Sequence, residues 1–206
     1  MRKSLILIMI SLILPFALQA GEKGARQHRR FTFGAEWNFI SSYHCGIHHN
    51  FFSQEGYRVD LNQQSFGFES NGEVNLHCGY DLDRKWNLSL YTGFVGIYDI
   101  GNAIPVSLRL TRFFKENGIG DRWLCYIDAG TGVCLKEDPQ MTATGKIGGG
   151  YRLSLSKTTK MDILLACRLS LTHPQIVYDG YRIPFEMTNR NNAYVSAISI
   201  GLSLTF

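Results

Sequence analysis

The sequence has no internal repeat and no second linker, and beyond its first twenty residues it has no apolar run long enough to cross a bilayer as a helix. Those absences exclude a solenoid and a bundle of transmembrane helices. A large excess of charge of one sign is also missing. The formal net charge is +4, and an amino-terminal segment holding Arg2, Lys3 and no acid accounts for 2 of it, leaving 4 − 2 = +2. A chain so nearly balanced has no electrostatic footprint for nucleic acid, and no such partner is expected. An even cysteine count is missing as well: there are five, Cys45, Cys78, Cys125, Cys134 and Cys167, so in an oxidising compartment at least one thiol stays unpaired.

What is present begins with "MRKSLILIMISLILPFALQA". Two cations precede an apolar run from Leu5 to Leu14, interrupted only by Ser11, and Ala20 closes the segment. This is the layout of a secretory signal peptide over residues 1–20, because the run is short for a span and Pro15 ends it. "GEKGARQHRR" follows, a polar stretch without apolar period, read as a flexible periplasmic leader over 21–30. Arg26, Arg29 and Arg30 are its candidates for contact with anionic lipid phosphate.

From Phe31 to Phe206 apolar residues recur at every second position over longer distances than soluble strands sustain. In "FTFGAEWNF", Phe31, Phe33, Ala35, Trp37 and Phe39 share one face, opposite Thr32, Gly34, Glu36 and Asn38. Equivalent runs are read near 73–82, 86–94, 104–111, 123–133, 144–154, 161–172 and 194–206, which makes eight strands. Pro105 is tolerable only near a strand end. Leu164 is the exception on the polar face of the seventh.

Period two does not say which face is inside, and three other features do. The polar face mixes Gly and Ser with Glu36, Glu73, Asp128 and Asp162 and with Arg109, Lys146, Arg152 and Arg168. That set suits a narrow interior in which opposite charges neutralise one another, since a buried charge without a partner is very costly. Connections alternate between short (82–85, 114–122, 156–160) and long (44–71, 173–192), as in outer-membrane barrels. Phe31, Trp86, Trp123 and Phe206 gather beside the short turns on the apolar face, as interfacial aromatics do. Arg112, on the same face, falls at that end too.

On these residues the chain resembles the small eight-stranded outer-membrane barrels, the class of OmpX and of the membrane domain of OmpA. The resemblance covers about 31–206 and is sharpest in the terminal "AISIGLSLTF". It implies an antiparallel, up-and-down transmembrane β-barrel in the outer membrane of a Gram-negative bacterium. It further implies an assembly signal ending in Phe206, read by the barrel assembly machinery, and contact with outer-membrane lipid and lipopolysaccharide. A monomer without cofactor is expected. An interior just wide enough for its own side chains leaves no open pore.

Chemistry-bearing residues are few. "HCGIHHN" concentrates His44, Cys45, His48 and His49, residue types that bind zinc or copper, but no second cluster lies nearby to complete a shell. The alternative is a surface loop whose histidines and aromatics Phe51, Phe52 and Tyr57 pack together or touch lipopolysaccharide. Cys78, Cys125 and Cys167 fall on the apolar face, where they serve as small apolar residues. Cys45 and Cys134 sit at extracellular strand ends, where a bridge across the mouth is open to test. His173 ends the seventh strand with Glu186 beyond it. In lipid A deacylases a His, a Ser two positions on and a later Glu act together. Here "THPQIVYDG" puts Gln175 in the nucleophile's place, so acyl transfer lacks its attacking hydroxyl. The reading favoured is a non-enzymatic envelope or surface-contact barrel working through the loops at 44–71 and 173–192. A lipid A-modifying enzyme and a secreted lipocalin-like ligand-binding barrel are the competing classes.

Overall fold

The computed structural model describes residues 30–98, 101–114, 120–135 and 140–206. The expected signal peptide, and the leader with Arg26 and Arg29, lie outside the described residues apart from Arg30. Arg30 is exposed and donates from Nη1 to the Tyr80 hydroxyl at 3.1 Å.

Strands β1 (Phe31–Phe52), β2 (Arg58–Asp81), β3 (Trp86–Ile97), β4 (Gly101–Phe113), β5 (Arg122–Cys134), β6 (Met141–Ser154) and β7 (Lys160–Thr172) run in succession. A small hairpin, β8 (Val177–Tyr178) and β9 (Tyr181–Arg182), and a single 3-10 turn, Phe185–Met187, precede the last long strand, β10 (Thr188–Thr205). The eight long strands close into one antiparallel barrel in the order β1-β10-β7-β6-β5-β4-β3-β2. Closure removes the sheet edges that an open sheet would leave unpaired around the barrel wall. Each of the eight expected runs lies in one of these strands, and the short turns fall where the sequence places them. The Asp83 carboxylate accepts from the Lys85 and Trp86 amides at 2.6 and 2.8 Å, pinning the β2–β3 turn. Ser156 Oγ accepts from the Thr158 and Thr159 amides in the β6–β7 turn.

The barrel is the reverse of a soluble protein. Leu108, Leu165 and Ile200 point outward with more than half of their surface exposed, whereas Glu36, Arg109 and Asp128 lie inside at 2–3 %. An apolar belt that circles the whole wall is far larger than a soluble monomer exposes, and it is the surface that faces acyl chains. This orientation overturns the lipocalin-like alternative, which needs the apolar set within. Leu164 is, as the sequence indicates, the apolar residue on the polar face of β7. It faces inward and joins Phe113, Leu124, Tyr126 and Ala166 in an apolar layer of the lumen. A second such layer, of Ile40, Cys45, Val95, Ile97, Ala103, Cys134, Val195 and Ala197, closes the opposite end.

The regions 44–71 and 173–192 are not the loops expected of them. β1 and β2 continue as one antiparallel hairpin from Cys45↔Ser65 to Phe52↔Arg58, turning at Ser53–Tyr57, where Gly56 supplies a φ of +86°. β10 starts at Thr188 rather than near Tyr194, and its first residues pair with Phe51 to Ile47. The second connection therefore spans only 173–187, and within it Asp179 (φ +49°) and Gly180 (φ +79°) form the turn of the β8–β9 hairpin. The physical reason for the misreading is a bulge. Tyr43 is skipped in the pairing with β10, so the outward set changes from odd residues (Trp37, Phe39) to even ones (His44, His48). Above the bulge polar and apolar residues no longer alternate in the earlier phase.

The outward face sets a depth-dependent cost for charge. Ile200→Arg, midway along the lipid-facing stretch of β10, is expected to destabilise the barrel by roughly 2–4 kcal/mol, whereas Ile104→Arg near a strand end costs less. Denaturant unfolding in lipid vesicles checks the order, and equal costs at the two sites contradict it.

Candidate functional site

All eight charged residues assigned to the interior are buried there and paired. Arg109 on β4 donates from Nη1 and Nη2 to the Glu36 carboxylate at 2.5 and 2.9 Å, and from Nε to Asp128 at 3.0 Å. Its guanidinium is held between the rings of Tyr91 and Tyr126, 4.0 and 4.3 Å from their centroids, and also donates to the Tyr91 hydroxyl. Lys146 on β6 donates to both oxygens of Glu73 at 2.8 Å. Arg168 on β7 lies 3.3 Å from the same carboxylate. Arg152 and Asp162, directly opposite on β6 and β7, form a two-pronged pair at 2.6 and 2.7 Å. Four acids meet four bases, so the set sums to 4 − 4 = 0.

Asn38 joins the two halves of this set by donating to Glu36 at 2.8 Å and to Glu73 at 3.1 Å. The neighbouring strand makes room for it with Gly201, where a Cβ would strike the Asn38 amide oxygen. His77 stacks on Tyr91 with centroids 4.9 Å apart, and Arg122 and Arg152 lie over the Phe113 ring. These aromatic supports were not singled out in the sequence, although Tyr91, Tyr126 and Phe113 all stand on the inward register. The space left beside them is a cavity of ≈ 20 Å³ lined by His77, Tyr91, Arg109 and Asp162, among others, enough for about one water. Ion pairs fill the middle of the lumen with an apolar layer on each side, and the Arg152–Asp162 pair with buried Arg122 lies beyond the lower layer, nearest the short turns.

The histidine-rich segment is split by strand geometry. His44 and His48 face outward and Cys45 and His49 inward, since neighbours on a strand point to opposite sides. Among the described residues no group of three or more His, Cys, Asp or Glu is placed to hold a metal ion. His44 packs between the rings of Phe66 (4.6 Å) and Tyr194 (5.3 Å). His48 Nε2 lies 2.9 Å from Asp60, which also accepts from Asn50 at 2.9 Å. These contacts hold the Asp60 carboxyl below its ordinary value, the His48 bond first and the Asn50 bond next. Burial, and secondarily His48, pushes the His49 imidazole below its ordinary value.

Cys45 and Cys134 are both buried in the apolar layer at the barrel mouth and both are free thiols. They stand on β1 and β5, four steps apart around an eight-strand ring. Backbones on opposite walls are too distant for the Cα separation of under 7 Å that a disulfide needs. Cys78 and Cys167 are exposed and Cys125 partly so, on the lipid-facing side. His173 Nδ1 lies 3.4 Å from the Met141 carbonyl, and Glu186 is exposed on the 3-10 turn. Arg112 sits where the sequence puts it, beside the short turns, 5.4 and 5.6 Å from the ring centres of Trp86 and Phe114. Phe206 stacks on Phe33 at 5.8 Å.

The other notable surface is the extension of β10, β1 and β2 beyond the barrel wall. Among the described residues β2 pairs with β3 only from Glu73↔Val95 onward and Asn71 donates to the Tyr98 carbonyl, so Arg58–Ser70 presents about 43 Å of edge at ~3.3 Å per residue. On its inner side Phe51, Val59, Ile176 and Ile183 form a small core with Leu61 and Tyr178. This ties the 173–187 connection down onto the hairpin. A cleft of ≈ 440 Å³ lies under that connection, lined by Gln140, Ile183, Phe185 and Asn191, among others.

Because Glu73 serves two bases, Glu73→Gln is expected to cost about 3–5 kcal/mol, the penalty of leaving buried cations without their partner. Asp60→Asn on the exposed extension should cost well under half of that. Denaturant titration of both variants in the same detergent checks the contrast, which a small Glu73→Gln effect contradicts.

No protein-family model and no curated protein matches the chain. Solved structures do match. The chain is similar to the outer membrane protein OprG from Pseudomonas aeruginosa, with a TM-score of 0.50 and 11 % identity over 87 % of this chain and 97 % of that one. Neisserial surface protein A gives 0.49 and 9 % over 89 % and 100 %. The outer membrane protease OmpT from Escherichia coli gives 0.36 and 8 % over 90 % and 99 %. At such identities the likeness to OprG is one of fold alone: the small eight-stranded outer-membrane barrel.

Proposed function

We propose that this barrel is an integral outer-membrane protein that works without turnover, as a rigid surface-contact element of a Gram-negative envelope. The observation that carries the reading is the pairing of a stoppered lumen with a three-stranded extension that rises past the wall. A lumen filled by neutral ion pairs and closed by apolar layers offers no path for a solute. The long strands, by contrast, put ordered backbone and side chains where the other strands have already turned. With the amino terminus on the periplasmic side, the turns at 82–85, 114–121 and 155–159 face inward and the extension faces outside.

Contact rather than catalysis is supported at His173. The residue two positions on is Gln175, and a carboxamide cannot attack an acyl carbonyl as a serine hydroxyl does. The partners that fit are outer-membrane lipid along the apolar belt and, during biogenesis, the barrel assembly machinery reading the strand that ends at Phe206. A monomer is the simplest state for a barrel closed on itself. The β2 edge, uncovered among the described residues, suits an extended segment of an external partner, because amides and carbonyls there can extend the sheet.

Three measurements test this. The purified chain should migrate differently on a gel before and after heating, and recovery in the aqueous supernatant would sink the membrane reading. A label on Gln54→Cys should react on intact cells, whereas one on Lys157→Cys should not. Lipid A acylation should be the same with and without the gene; a changed profile would restore the enzyme alternative.

A further inference from the structure

Outward-facing residues on β10, β1 and β2 are layered by chemistry. Lowest is the apolar belt, Trp37 and Phe39 on β1, Val74 on β2 and Ile198 and Ile200 on β10. Above it comes an aromatic layer. His44 lies between Phe66 and Tyr194, with Tyr43 at the bulge and Phe68 beside them, Phe66 and Phe68 being 77 and 84 % exposed. Tyr194 lies flat across the sheet, because its opposite residue is Gly46 and a Cβ there would meet the ring. Flat rings in this position offer the apolar face that a sugar ring stacks on, with a polar rim of Tyr hydroxyl and imidazole.

Higher still is a plate of hydrogen-bonding groups three strands wide. Register sets Asn192, His48 and Asn62 in one row and Arg190, Asn50 and Asp60 in the next, with Arg58 above opposite Phe52. The plate is already knitted together. Arg58 Nε donates to Asn50 Oδ1 at 3.0 Å, Asn50 and His48 hold Asp60, and Arg190 Nη1 lies 3.3 Å from His48 Nδ1. Two guanidiniums stand against one carboxylate that is fully engaged inside the plate. Arginine forks fixed this way match the geometry of phosphate oxygens.

Along the same three strands the acyl-facing belt gives way to ring-stacking and then phosphate-binding groups, as the chains of an outer-leaflet glycolipid give way to a head whose sugars bear phosphates at their rim. We infer that this face is a docking plate for the phosphorylated sugar head of an outer-leaflet glycolipid, with Phe66, His44 and Tyr194 under the sugar and Arg58 and Arg190 on phosphate. The inference rests on the membrane reading above. Continuity with the acyl belt commits it to a lipid rather than to free phosphate, since the ligand's chains and head would be bound by one uninterrupted surface.

The test uses the full chain in detergent micelles, titrated with diphosphoryl lipid A, its dephosphorylated form, phosphatidylglycerol and inorganic phosphate. Native mass spectrometry reads occupancy and heat-dependent migration reads folding. Diphosphoryl lipid A should bind, and Arg58→Ala/Arg190→Ala should weaken it by about tenfold or more, the loss of charge-assisted hydrogen bonds, without altering migration. The same double variant should leave the dephosphorylated form unaffected. Phe66→Ala, at an exposed position that does not threaten the fold, should weaken both forms alike. Equal binding by wild type and the double variant, or equal competition by phosphatidylglycerol or inorganic phosphate, overturns the plate. A heat-modifiable barrel that binds no lipid A overturns the plate alone. A chain that never becomes heat-modifiable overturns the membrane reading and the plate with it.

Discussion

The structure depends on keeping four carboxylates and four cations neutral inside a tube barely wider than their side chains. An eight-stranded barrel has no room to hydrate such groups, and each would cost several kcal/mol if stranded. Arg109 shows how the requirement is met. Glu36 and Asp128 accept its hydrogen bonds from two sides, Tyr91 and Tyr126 cover its faces, and Tyr91 accepts one further bond. Asn38 then couples this unit to the Glu73, Lys146 and Arg168 unit, so strands far apart in sequence are joined through the middle of the barrel.

That interior determines what the outside can be used for. A lumen spent on ion pairs is unavailable to a substrate, and the apolar wall is committed to lipid. The surface proposed for recognition is the part that leaves the wall: the β1–β2 hairpin, the start of β10 and the connection packed on them. It is ordered because strand pairing continues through it and because Phe51, Val59, Ile176 and Ile183 give it a core of its own. A surface held this way binds with little ordering cost, which a mobile loop of the same length would not.

The strand alternation was readable over the whole wall because lipid on one side and ion pairs on the other enforce period two at almost every residue. The same alternation was hidden above Tyr43. Once the hairpin leaves the bilayer, its outer face is polar, its inner face is only partly apolar, and the bulge changes which parity points out. Two local signals were available there. Gly56 marks a turn between two runs that can pair, and Asp179-Gly180 is the usual pair for a two-residue hairpin. The split of His44 and His48 from Cys45 and His49 also follows from alternation, but only after the segment is known to be a strand.

By itself the sequence determined the class of architecture, the inward and outward sets of the wall and eight of the nine buried lumen charges, Arg122 being the one it missed. Each is a local consequence of period two and of the cost of burying charge. Only the tertiary structure decided which acid meets which base, that Cys45 and Cys134 stand on opposite walls, and that Tyr194, His44 and Phe66 share one surface. Those facts depend on ring closure and strand register, which join residues as far apart in the chain as Glu36 and Arg109 or His44 and Tyr194 and leave no trace in any short stretch of chain.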